Sequence, residues 1–276
     1  MKHLDLVKYL VEEFGVNLNK KNVDGKTPLS RVFESGSEVL MKYLVEELGV
    51  NISCDSETLL FDACRSGNML LVKYLVDLGT DINISGRFYD ENPLFFACRK
   101  RNQALVEYLV ELGANVDITD SIGNTPLFDV CKYNNETLVK CLINLGANIN
   151  ISNIRGETPL FFARDEEIIR QLVERGAEVN KPNVHGETPL YFACKRGNEA
   201  VIRCLVELGA NIDETNKRGE TPLFVTCKSG SEAIIRCLVE LGADLNKRNN
   251  GGVTPLSILH LKNKKIRQFL TDHGAI

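Results

Sequence analysis

The side chains best able to do chemistry in this 276-residue chain are nine cysteines, four histidines and a set of carboxylates and cations that recur at regular intervals. A structural zinc site needs several Cys or His ligands at short spacings such as Cys-x-x-Cys, and that spacing does not occur. Cys64, Cys98, Cys131, Cys194 and Cys227 share one slot of a repeating pattern, Cys141, Cys204 and Cys237 share another, and only Cys54 falls in a turn. Both slots lie on the apolar side of a helical pattern, where Cys acts as a small hydrophobe. Buried, reduced thiols are therefore expected, as in the cytoplasm or the nucleus. His3, His185, His260 and His273 stand at unrelated places, none paired with Cys or carboxylate at catalytic or metal spacing. The glycines form no Gly-x-x-x-x-Gly-Lys phosphate loop. Glu157, Glu187 and Glu220 are repeated by a period, and a row made by repetition is not an acid–base pair. A chain without catalytic residues, metal or cofactor is expected.

The elements that must carry these residues follow from the period itself. Thr-Pro-Leu or a close variant begins at Thr27, Thr58, Asn92, Thr125, Thr158, Thr188, Thr221 and Thr254, in steps of 31, 34, 33, 33, 30, 33 and 33 residues. A helix-like run closing on Gly recurs in phase from Gly15 to Gly274. One array over 1–276 is expected: a half-unit at 1–21, internal units over 22–248 and a terminal capping unit at 249–276. Within the unit from Asn183 to Thr215, Asn183-Val184-His185-Gly186 has turn chemistry. Thr188 can cap a first helix and Pro189 take its first position, where a missing N–H costs nothing. Val201, Ile202, Leu205, Val206 and Leu208 mark a second helix at helical spacing. Two short helices cannot bury their apolar faces alone, so neighbouring units must stack into an all-α repeat solenoid.

Gly186-Glu187-Thr188-Pro189-Leu190, followed by Leu205-Val206-Glu207-Leu208-Gly209-Ala210-Asn211, resembles the ankyrin repeat, and equivalent pairs recur over essentially the whole chain. The resemblance implies β-hairpin or turn fingers projecting from stacked helix pairs, a concave face of fingertips and first helices, and protein–protein recognition. Where that family commonly has His after Thr-Pro-Leu, this chain has Phe61, Phe95, Phe128, Phe161, Tyr191 and Phe224, so aromatic burial is expected to replace a hydrogen bond. The unit from Asn153 lacks three residues between its helices, which predicts a clipped inter-helix turn and a weak interface around Arg164 to Ile168. The unit containing Asn92 has an extra residue near Gly86. In the last unit Lys265 and Arg267 make the second helix more polar, as a cap requires.

Hydrophobic residues at 43% and charged residues at 25% match a folded domain and exclude collagen or a disordered chain. No apolar run is long enough for a membrane span and no secretory signal opens the chain, so a cytoplasmic protein, with the nucleus as alternative, is expected. A net charge of −4 argues against nucleic acid and anionic membrane as partners.

What remains is surface. Arg65, Arg99, Lys100, Lys132, Lys195, Arg196 and Lys228 stand at first-helix ends, where they either serve the helix dipole and pair with Glu91, Glu157, Glu187 and Glu220, or face a partner. Asp165, Glu166 and Glu167 would interrupt that row as an acidic notch. Phe88 and Tyr89 in the irregular finger, and Tyr133 beside Lys132, are the aromatic candidates. The reading is a monomeric, non-catalytic scaffold that holds a protein or peptide, with an acidic segment, on the concave face. The alternatives are a targeting segment of a longer enzyme or effector, which the half-unit at the start would suit, and a structural spacer.

Overall fold

The computed structural model describes residues 2–18, 20, 22–23, 27, 32, 37–49, 56–85, 92–259 and 263–276, at positions 2–4, 6, 10, 38 and 56–58 by their backbone alone. The chain divides into two compact units, residues 1–120 and 121–276. The described residues are helical and turn, with no strand among them.

The 1–120 unit opens with α1 (Lys2–Phe14) and α2 (Glu38–Lys42), which runs on as a wider turn over Tyr43–Glu47. Tyr43 ties the two by donating to Glu12 Oε1 at 3.0 Å. Two helix pairs follow, α3 (Ser56–Ser66) with α4 (Met69–Asp77), and α5 (Pro93–Arg99) with α6 (Gln103–Glu111). Asn92 takes the capping role given elsewhere to Thr, its Oδ1 accepting from the amides of Leu94 and Phe95. Leu71, Val72, Leu75, Leu105, Val106 and Leu109 are completely buried, each contributing about 1.5–3 kcal/mol of burial.

The 121–276 unit continues the pairs as α7 (Pro126–Lys132) with α8 (Glu136–Asn144), then a three-residue 3₁₀ turn (Pro159–Phe161) with α9 (Glu166–Glu174). After these come α10 (Pro189–Arg196) with α11 (Glu199–Glu207), α12 (Pro222–Ser229) with α13 (Glu232–Glu240), and α14 (Pro255–Ile258) with α15 (Lys264–Asp272). Each first helix starts on proline after a Thr in extended conformation. Thr188 and Thr221 accept from the amides three residues on, whereas Thr125 and Thr158 make no side-chain cap bond. The full-length first helices end on a left-handed residue, Gly197 after α10, Gly230 after α12 and Asn134 (φ 51°) after α7, the conformation Asn tolerates better than most residues.

An asparagine ladder joins successive units behind the second helices. Asn150 and Asn180 donate to the carbonyls of Gly176 and Gly209, both at 2.9 Å, and accept from the amides of Glu178 and Asn211. Helix C-terminal carbonyls that would otherwise lack partners are thereby satisfied by the neighbouring repeat.

Several expectations take a definite form. Phe95, Phe128, Phe161, Tyr191 and Phe224 are buried as expected, whereas Phe61 is only half-buried. Tyr191 recovers the replaced hydrogen bond as well, donating to Glu220 Oε2 at 3.3 Å and accepting from Asn216 Nδ2 at 3.1 Å. The eight described cysteines are buried and unbridged, and burial alone pushes the Cys64 and Cys227 thiols up to about 12; Cys54 lies outside the described residues. The fingers are hydrogen-bonded turns. The three-residue deletion shortens the first helix itself to the 3₁₀ turn, while α9 keeps the nine residues of α11. The acidic notch is corrected accordingly: Asp165 caps α9, accepting from the amides of Glu167 and Ile168, and Glu166 and Glu167 are its first turn. These carboxylates serve a second helix instead of replacing the cations of a first.

Candidate functional site

Three successive fingers of the 121–276 unit are built by Asn-x-x-Gly-Glu, from Asn153, Asn183 and Asn216. Asn183 Oδ1 accepts from the amides of His185 and Glu187, both at 2.9 Å, and its Nδ2 donates to Glu187 Oε2 at 3.1 Å. Asn153 with Glu157, and Asn216 with Glu220, repeat the arrangement. Neighbouring fingers are stitched by one backbone bond each, Val184 N to Arg155 O and Lys217 N to His185 O, both 2.9 Å. Gly186 has φ +78°, and a Cβ there would stand 2.8 Å from Lys217 N, so both conformation and close approach require glycine. The stitching brings Arg155, His185 and Arg218 to equivalent places on three successive fingers.

Between these fingers and the first helices lies a groove of about 750 Å³. Five cations line it, Arg155, Lys195, Lys217, Arg218 and Lys228, together with His185 and three carboxylates, Glu157, Glu187 and Glu220. The carboxylates are committed to the finger asparagines, and Glu157 and Glu220 are buried. Only Lys195 approaches one, Glu187, at 4.0 Å. Among the described residues no carboxylate stands within salt-bridge distance of Arg155, Lys217, Arg218 or Lys228. Tyr191 lies at the base of the groove, and burial beside Glu220 and Glu187 raises its hydroxyl above the ordinary range, keeping it a neutral donor. A second cavity of about 310 Å³, lined among others by Ile122, Ile154, Phe162, Phe192, Lys132 and Arg196, adjoins the same fingers.

The second helices present the opposite electrostatics. Arg170 pairs with Glu207 and Arg203 with Glu240, both at 2.7 Å, one repeat apart, while Arg236 pairs with Glu232 at 2.8 Å within its helix. The Arg170 guanidinium holds the Glu207 carboxyl below its usual range. That face neutralises itself.

The residues named from sequence take different places. Lys195 and Lys228 line the groove, and Lys132, also exposed, lies 5.6 Å from the Tyr133 ring centre, with Tyr133 half-exposed. Arg196 is exposed overall, yet its Nη1 donates to Phe161 O at 2.7 Å and its guanidinium stands against the Phe162 and Phe192 rings; partial burial of that end and the nearby Arg164 charge lower its pKa. In the 1–120 unit Arg65 pairs with the buried Asp62 at 3.4 Å, Lys100 lies over Phe96, and Arg99 closes α5. Phe88 and Tyr89 lie outside the described residues, as does Glu91. Sequence reasoning missed the finger cations Arg155, Lys217 and Arg218. Their signal was their place three or four residues before the Thr-Pro-Leu of Thr158 and of Thr221.

The family model for ankyrin repeats (three copies) matches residues 1–86, 85–153, 128–216 and 204–276. The chain belongs to the ankyrin-repeat family. Among solved structures, the ankyrin repeat domain of Bcl-3, described as a unique member of the IkappaB protein family, is similar with a TM-score of 0.68 and 26% identity over 77% of this chain and 97% of that one. The human ASB11 ankyrin repeat domain is similar with a TM-score of 0.66 and 26% identity over 79% of this chain and 98% of that one. No curated protein sequence matches the chain. In this ankyrin array the groove occupies the surface between fingers and first helices, and the paired arginines occupy the second helices. Among the described residues no three His, Cys, Asp or Glu side chains converge as a metal site, and no described helix is long and apolar enough to cross a membrane.

Proposed function

We propose that this ankyrin array is a non-catalytic scaffold that holds an acidic segment of another protein in the groove between the fingers and first helices of the 121–276 unit. The ankyrin repeat is a general protein–protein interaction fold. The observation that carries the finer reading is the set of finger cations. A lysine at a helix end is accounted for by the macrodipole. Arg155, Lys217 and Arg218 stand on turns, where no helix end needs them, and no carboxylate pairs with them. Cations focused in a groove between low-dielectric walls attract and orient acidic ligands. Lys195, Lys228 and Lys132 would extend that field along the helix ends, and Arg65, Arg99 and Lys100 are proposed as contacts in the 1–120 unit. The array is proposed to act as a monomer, and its buried thiols fit a reducing compartment, the cytoplasm or nucleus.

The test is capture from lysate at about 0.15 M salt, where charges more than ~8 Å apart are screened. The chain is compared with a variant carrying Lys195→Glu, Arg218→Glu and Lys228→Glu and with one carrying Arg203→Glu on a second helix, all shown to melt alike. A partner lost only from the groove variant supports the reading. A partner lost only from the Arg203 variant moves the interface to the second helices.

A further inference from the structure

The groove has a floor as well as walls, and the floor repeats. Four residues after Thr158, Thr188 and Thr221 stand Phe162, Phe192 and Val225, one half-buried apolar residue from each of three successive repeats; Phe192 and Val225 line the groove, and Phe162 lines the adjoining cavity that shares Phe192. Charged side chains line the same groove on two sides, Arg155 and Arg218 on the fingers and Lys195 and Lys228 on the helix ends, with Lys195 Nζ 5.8 Å from the Phe192 ring centre. Arg196 reaches between the first two floor residues, its guanidinium 6.0 Å from the Phe162 ring centre and 5.6 Å from that of Phe192.

The floor sets a ruler. Packed helices stand about 8–10 Å apart, so consecutive floor residues are spaced by about that distance. An extended or polyproline chain rises ~3.1–3.4 Å per residue. Three residues of such a chain therefore advance it by one repeat, two fall short and four overshoot. Polyproline II also has three residues per turn, which puts every third side chain on one side and leaves the others to face the walls. We propose that the groove takes an extended segment with apolar residues at every third position and acidic residues between them, the apolar side chains seated on Phe162, Phe192 and Val225 and the carboxylates on the two cationic walls. This rests on the groove reading given above and specifies which acidic segments it accepts.

The probe is a labelled Leu-Pro-Glu-Leu-Pro-Glu-Leu-Pro-Glu peptide, in which proline excludes a helix, titrated by fluorescence anisotropy against the full chain. It is compared with isomers of identical composition whose leucines are two or four apart, and with a Gln-for-Glu analogue. The expected result is that each isomer binds about tenfold or more weaker, the loss of one seated leucine. The Gln analogue is also weaker, and the difference between Glu and Gln peptides shrinks with Arg218→Glu in a chain of unchanged melting. Equal binding of all spacings, or equal binding of Glu and Gln peptides, overturns the inference while leaving the groove as a protein-binding surface. Failure of every peptide to bind overturns it too, and the capture comparison then decides the groove reading separately.

Discussion

Two neighbouring repeats begin on the same five residues, Gly-Glu-Thr-Pro-Leu from Gly156 and from Gly186, and then diverge. In the second, α10 runs eight residues to a left-handed glycine. In the first, three missing residues leave only the 3₁₀ turn before Asp165 caps α9. The second helices nevertheless match residue for residue, with Ile168, Ile169 and Leu172 buried where α11 buries Val201, Ile202 and Leu205. The deletion is absorbed by the first helix even though first helices bury at least as many residues, and the second helix keeps its register, because shifting it would expose its apolar face. The cost appears as carbonyls with no helical partner, and the next repeat covers them: Arg196 donates to Phe161 O and Asn198 to Arg164 O. In the last repeat the covering arginine comes from that repeat's own second helix. The short α14 has carbonyls at Leu256 and Leu259 that accept from Arg267. An arginine that looks like ligand-binding surface in the sequence is, beside a truncated helix, a structural donor.

Substitutions in the two repeats should separate them. Leu190→Ala, in the full-length helix, is expected to cost about 2–5 kcal/mol in urea denaturation, while Leu160→Ala falls at the lower end because the small void beside Phe161, Ala163 and Arg196 lets the site relax. Equal, large losses would mean that the shortened repeat is packed as tightly as its neighbour. Arg196→Ala should cost about 1–3 kcal/mol by orphaning Phe161 O. Lys228→Ala, on the groove wall of the regular repeat, should stay within about 0.5 kcal/mol. Reversal of that order would return Arg196 to the ligand-facing set. Native-state hydrogen exchange should find the amides of Ile169 to Leu172 less protected than those of Ile202 to Leu205, and matching protection would remove the weak joint.

The smallest effect near neutrality concerns the thiols. Folded Cys64 and Cys227 keep their protons to about 12, whereas the unfolded chain ionises near the ordinary 9.0. The folded state thus binds more protons above pH 9.0, and stability falls as pH rises through that window, by at most about 1.4 kcal/mol per thiol per pH unit. In a Cys54→Ser variant no thiol should react with a disulfide reagent before unfolding; rapid native labelling would contradict their burial.

How much of this was legible depends on what repeats. The phase of Thr-Pro-Leu against the closing glycines carried the fold, because a period states the same packing rule at every repeat. The aromatic slot at Phe128, Phe161 and Tyr191 was legible for the same reason. The fate of the deletion was not: three missing residues between Ala163 and Ile168 could have come from a turn or from a helix, and only packing decides. Nor was the direction of Arg196, since Lys195-Arg196 reads as one basic pair until the void beside it is known. The finger cations were legible in principle, but attention to helix ends passed over Arg155, Lys217 and Arg218.

The central claim is that partners seat between fingers and first helices and leave the second helices free. A photo-crosslinking amino acid placed at Ser229, on the groove, and separately at Glu240, on α13, tests it in lysate. The account predicts a discrete partner adduct from position 229 and none from 240. The same adduct from 240 alone would contradict it.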